Sequence, residues 1–128
     1  MIISAFFVKL GGHCGDVDPP GPPQNLRLSD MKNILCTLTW NAPGYDGGSP
    51  IIGYYVESYI GSCWNSINAI PLQVCSIDVQ LLDTNSDNEF RVCAVNAVGV
   101  GLPSEIISVA PPPCIGLFCL PVKLLICY

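Results

Sequence analysis

Between Pro19 and Pro113, clusters of Pro, Gly, Asn and Asp recur every few residues and cut the chain into short runs in which apolar and polar residues alternate. No apolar repeat of 3.6 residues persists long enough to define a helix. Runs of this length with period two are strands half-buried on one face, and the clusters between them are turns. The class is therefore all-β.

Successive strand side chains point to opposite faces, so each run divides into an inner and an outer set. The opening PPGPPQNLRL carries too many prolines for a central strand and is expected to lead into an edge strand near Leu26 and Leu28. In LCTLTW, Cys36, Leu38 and Trp40 share the inner face. NAPGYDGGSP is a loop, and IIGYYVESYI follows with Tyr54 and Val56 inward against Tyr55, Glu57 and Tyr59. A short edge strand is expected near CWNS, then SIDVQLL with Ile77 and Val79 inward, then a polar turn in DTNSDN. EFRVCAVN places Phe90, Val92 and Ala94 inward and Arg91, Cys93 and Val95 outward. NAVGVGLPSE reads as a glycine-rich connection, and EIISVA as the last strand.

Seven strands in about 95 residues, with an inward Trp early and an alternating strand late, have the arithmetic of an immunoglobulin-like β-sandwich. Of eight cysteines, Cys14, Cys114, Cys119 and Cys127 lie in the flanks, leaving Cys36, Cys63, Cys75 and Cys93 for the sandwich. Cys36 is inward and Cys93 outward, so their Cβ atoms do not face each other as a disulfide requires. Cys75 is expected to fail on the same parity count, taken against Ile77 and Val79. No N-x-[ST] acceptor occurs, and reduced thiols in an intracellular setting are the expectation.

These residues resemble the fibronectin type III domain over about residues 19–112. The likeness rests on PPGPPQNL, on LTW with Trp40, on APGYDGGSPIIGYYVE, on Leu82 at the turn and on FRVCAVNAVGVGLPSE. The linked set is most similar to domains of giant sarcomeric proteins of the titin, twitchin and myosin-binding protein C kind. The resemblance implies a seven-stranded fibronectin type III sandwich with irregular apolar flanks, and adds Leu82 to the core. It also implies a Tyr six residues after Leu82, whose hydroxyl would tie the strand corner. Asn88 stands there, so the corner is expected to be weaker. SCWNSINAIPLQVC departs from the charged wording usual in that region.

The chain of 128 residues is 50% hydrophobic and 12% charged, which rules out a disordered chain and raises the question of a membrane. The excess is local: residues 1–10 hold 8 apolar residues and residues 114–128 hold 12. The head, residues 1–18, lacks a leading cation and an A-x-A site, as a signal peptide would need. The tail, residues 113–128, is broken by Pro121 and Lys123 and is shorter than the about 20 residues that span a bilayer. Both read as non-domain flanks, and membrane insertion is disfavoured. A net charge of −5 with 5 Lys and Arg cannot neutralise a phosphate backbone, so nucleic acid is not a partner.

Catalysis has little to stand on. His13 beside Cys14 lacks an orienting third group, and Cys114 and Cys119 with His13 and Cys14 form a loose zinc pattern split between opposite ends of the chain. Asp83, Asp87 and Glu89 match no calcium loop, and neither an RGD nor a WS-x-WS sequence occurs. No enzyme, metal or cofactor is expected. Tyr55, Tyr59 and Trp64 are the candidate partner surface, because they fall on the outer face or on an edge and exposed aromatics are enriched at interfaces.

The resemblance implies a non-catalytic structural and protein-binding module of a muscle filament-associated protein. Its partners would be neighbouring immunoglobulin-like or fibronectin type III domains and filament proteins, and its location the cytoplasmic sarcomere. The alternative is an extracellular or cell-surface fragment of an adhesion or cytokine-type receptor.

Overall fold

Alternation along LCTLTWN becomes the spine of the structure, a computed structural model that describes residues 17–83 and 85–111. Strands are β1 (Gln24–Lys32), β2 (Leu35–Asn41), β3 (Gly53–Ile60), β4 (Cys63–Ser66), β5 (Ser76–Gln80), β6 (Asn88–Val95), β7 (Val100–Pro103) and β8 (Ile107–Val109). They form two antiparallel sheets, β1-β2-β5 and β4-β3-β6-β7, with β8 also on β6. The described residues contain no helix.

The core lies between the sheets. Cys36, Leu38, Trp40 and Val79 face Tyr54, Val56, Phe90, Val92 and Ala94, all buried, with Ile77 packed against them. Trp40 meets Tyr54 edge to face, ring centroids 5.6 Å apart, the geometry that places a positive ring edge on a negative ring face. Burial pushes the Tyr54 hydroxyl up to about 12, with the neighbouring Cys75 thiol adding to the shift.

Several expectations change. There are eight strands instead of seven, because part of the presumed connection NAVGVGLPSE is β7, ahead of β8 in the expected last strand EIISVA. Phe90 pairs with Ile107 and Cys93 with Pro103, so the last strand spends one residue more than β6 over the same stretch, a bulge. Pro103 has no N–H to continue the ladder. Ser104 closes the gap: its N–H donates to the Val92 carbonyl at 2.8 Å, and its Oγ accepts from the Val92 N–H at 3.0 Å.

Leu82 is not in the core. It is 69% exposed, whereas Leu81 is 1% exposed, because Leu81 continues the inward parity of Ile77 and Val79. The Leu81 N–H is held by the Ile34 carbonyl at 2.7 Å. The alternation in SIDVQLL carried this signal, and the family wording masked it.

Cys93 has outward parity yet is only 4% exposed. It sits on the central strand of its sheet, between Tyr55 of β3 and Pro103 of β7. Cys75 shares the parity of Ile77 and Val79 and packs against the core edge. Cys36, Cys63, Cys75 and Cys93 are all free thiols.

The segment leading into β1 is strapped to one pole of the sandwich. Asp18, assigned to the head by composition, donates its N–H to the Gly47 carbonyl at 2.8 Å, and Gly21 donates to Tyr45 at 2.9 Å. Asn96, 2% exposed, gathers this pole: its Nδ2 donates to the Asp18 and Asp46 carbonyls at 2.7 and 2.8 Å. Its Oδ1 accepts from the Val98 N–H at 2.9 Å. Gly47 has φ +82°, and a Cβ there would strike the Asp18 carbonyl, so only glycine lets the strap lie this close. Val109 pairs with Asn88 at the other end of β6. The chain thus enters and leaves at opposite poles.

Candidate interaction surface

Residues of odd number in β3 and β6 face away from the core, and β4 carries their continuation at the sheet edge. A two-residue turn joins β3 to β4, with Gly61 at φ 62° and Ser62 at φ 68°, the paired left-handed conformation that matches strand twist in tight hairpins. The turn sets the register that puts Tyr59 opposite Trp64. Their ring centroids lie 5.2 Å apart at 57°.

Arg91 joins them from two strands away. Its guanidinium carbon lies 4.2 Å from the centroid of the Trp64 ring, while its Nε donates to Glu57 Oε1 at 2.6 Å. The stem therefore crosses β3. The positive guanidinium rests on the negative ring face, and Glu57 balances its charge. The Arg91 and Glu57 side chains are 25% and 23% exposed, so solvent still screens them and the pair supplies at most about 1 kcal/mol.

Of the three sequence candidates, the structure brings Tyr59 and Trp64 into contact and places Tyr55 farther along the same face, opposite Cys93. Sequence reasoning left out Glu57 and Arg91. Both belong to the outward parity sets, but only the β3–β6 register, which pairs Glu57 with Arg91, shows that they meet.

Burial, followed by the charge of Glu57 and with Arg91 opposing, pushes the Cys93 thiol up to about 11. Cys36 is also raised, by burial and then by Asp78. Thiols held protonated are poor nucleophiles and metal ligands. Among the described residues no group of three or more His, Cys, Asp or Glu could hold a metal ion. His13, Cys14, Cys114, Cys119 and the apolar ends lie outside the described residues.

The turn before β6 is built from polar side chains. Asp83 accepts from the Ser86 hydroxyl at 2.6 Å and from the Asn85 N–H at 2.9 Å, which holds its carboxyl below the usual range. Asn88 replaces the expected Tyr by bonding both sides of one residue: Nδ2 donates to the Asp83 carbonyl at 2.8 Å, and Oδ1 accepts the Asp83 N–H at 3.0 Å. The corner is tied without a ring.

The sequence model of the fibronectin type III domain matches residues 21–110. Titin of Drosophila melanogaster is 37% identical over 90 residues, covering 69% of this chain and 0% of that protein to the nearest per cent. Cardiac-type myosin-binding protein C of Gallus gallus is 31% identical over 105 residues, covering 75% of this chain and 8% of that protein. Among solved structures, the chicken CNTN1 FN1–FN3 domains superpose with a TM-score of 0.56 at 28% identity, covering 73% of this chain and 34% of that one. The chain spans less than a tenth of the length of these two curated relatives. Its domain resembles those of sarcomeric multidomain proteins. With the two-sheet fold and a family match over most of its length, the chain belongs to the fibronectin type III domain family.

Proposed function

We propose that this chain is a non-catalytic structural and protein-binding module of a multidomain, muscle filament-associated protein, with residues 19–112 as the domain. It works in the cytoplasm of the sarcomere, between neighbouring immunoglobulin-like or fibronectin type III domains and against filament proteins. The observation that carries this reading is the outer face of the larger sheet. There Tyr59, Trp64, Arg91 and Glu57 form one ordered cluster beside Tyr55. Ordered aromatics and Arg lose little side-chain entropy on docking, which is why such residues dominate interface energetics. Entry and exit at opposite poles suit a link in a chain of domains, and likeness to titin and myosin-binding protein C supports the setting.

Co-sedimentation with purified myosin filaments and, separately, with thin filaments tests the reading. The intact chain should pellet with one of them, and Y59A/W64A should lower its affinity about tenfold or more, the effect of losing a pair of anchors. Failure with both filaments, or equal pelleting of the variant, overturns it.

The extracellular alternative draws on the likeness to the CNTN1 domains. Free Cys36, Cys63, Cys75 and Cys93 favour the reducing compartment. Thiol counting on the native protein without reductant decides: two or more disulfides within residues 19–112 would put the extracellular reading in its place.

A further inference from the structure

A second surface opens at the pole opposite the Asn96 strap, where the sheets part. A groove of about 260 Å³ runs between β5 and the ends of β3 and β6. Val79 and Phe90, both buried, form its floor, and Ile60, Ile67 and Leu82 stand exposed around it. Exposed aliphatics that converge on one concavity form a surface that an apolar partner group can cover.

The charges around it have one sign. Asp78 and Glu89 line the groove, Asp83 and Asp87 follow in the adjoining turn, and residues 58–90 contain no Lys, Arg or His. Arg91, the next cation along the chain, is engaged with Glu57 and Trp64. Lys32 is two strands from β5 and does not line the groove. An occupant must therefore present apolar groups and positive charge together.

Its size and setting narrow the class. The volume is below the about 300 Å³ at which pockets for drug-sized molecules begin and accepts one or two aliphatic side chains. Beside it, β5 pairs only with β2 among the described strands, so its other edge offers main-chain donors and acceptors to an added strand.

We propose that this groove docks an extended polypeptide segment of another protein, in which aliphatic residues alternate with lysine or arginine. The alternation follows from the pleat: one face of the added strand fills the groove, and the other continues the outward face of β5, which carries Asp78, while Glu89 stands on the β6 side of the groove. Tyr59 of the aromatic face also lines the groove, so the two surfaces adjoin, but the groove proposal rests on its aliphatic and acidic lining and does not need the aromatic cluster to bind.

The test uses the full chain and two synthetic hexapeptides, alternating Val-Lys and alternating Val-Glu, followed by amide chemical shifts. The Val-Lys peptide should give saturable shifts confined to β5, Leu82 and the ends of β3 and β6, with affinity falling as salt rises. E89Q and D78N, which keep shape and lose charge, should each weaken binding about threefold. L82S, at an exposed position, should weaken it without altering the fold. No saturable shift, equal binding of Val-Glu, or binding unaffected by all three substitutions overturns the proposal. Tighter binding in K123E would assign the groove to the chain's own tail and overturn it as well.

Discussion

Arg91 lies 4.2 Å over the Trp64 ring while its Nε holds Glu57 at 2.6 Å, so one side chain clamps three adjacent strands on their outer face. The clamp orders Trp64 on a short edge strand of four residues, which among the described strands has only β3 as a sheet neighbour.

Arg91→Ala is expected to lower stability by about 1–2 kcal/mol, from the combined stacking and ion-pair contributions. Arg91→Lys keeps the charge but loses the flat guanidinium and its fork, and should recover less than half of that loss. Urea unfolding followed by circular dichroism measures both. Wild-type stability in Arg91→Lys would show that charge alone accounts for the contact.

Asn96 is the point on which the entry strap depends. Asn96→Ala should cost about 2–4 kcal/mol, since it strips donors from the Asp18 and Asp46 carbonyls and an acceptor from the Val98 N–H. Hydrogen exchange adds a local signature: the Asp18 amide, bonded to Gly47, should exchange faster than expected from the global loss. Unchanged protection there would mean that the strap is held by other contacts.

Leu81 and Leu82 separate by substitution. Leu81→Ala should cost about 2–5 kcal/mol through loss of burial and the cavity left behind. Leu82→Ala should stay within about 0.5 kcal/mol, as is usual at exposed sites. A reversed order would place the turn leucine where the family wording does.

The Cys93 thiol makes stability fall in alkali. Its pKa rises from 9.0 to about 11 on folding, so between these values the unfolded chain has released a proton that the folded chain retains. Stability is then fully present below pH 9 and declines as pH rises to 11, by on the order of 1.4 kcal/mol per pH unit for this thiol. Cys36 is shifted in the same direction. Unfolding midpoints of the parent and Cys93→Ala across this range measure the effect, and parallel profiles would disprove it.

Which face each strand residue takes was legible beforehand for β2, β3 and β6, because side-chain direction depends only on the pleat, and the pleat has period two. The same rule placed Tyr55 and Tyr59 away from the core, and Trp64 was a candidate from its expected edge strand. Parity says nothing about what lies beside a residue. Cys93 points outward and is covered because its strand is central, and Arg91 reaches Trp64 only because register sets Glu57 beside Arg91 and Tyr59 beside Trp64.

Leu81 was readable and was overridden by a resemblance, whereas the break between β7 and β8 was not readable. It follows from the Pro103 nitrogen and the Ser104 hydroxyl meeting the same partner strand, a non-local event. The acidic, apolar groove likewise joins residues 58–60, 67, 78–80, 82 and 88–90, which come together only when the two sheets stack. Alternation and turn chemistry are local energies, so the sequence by itself determined the class, seven of the eight strands and the inner faces of β2, β3 and β6. Pairing register and sheet packing are set by contacts between distant segments, so the tertiary structure alone decided which outward residues meet, which are buried, and where the surface is open.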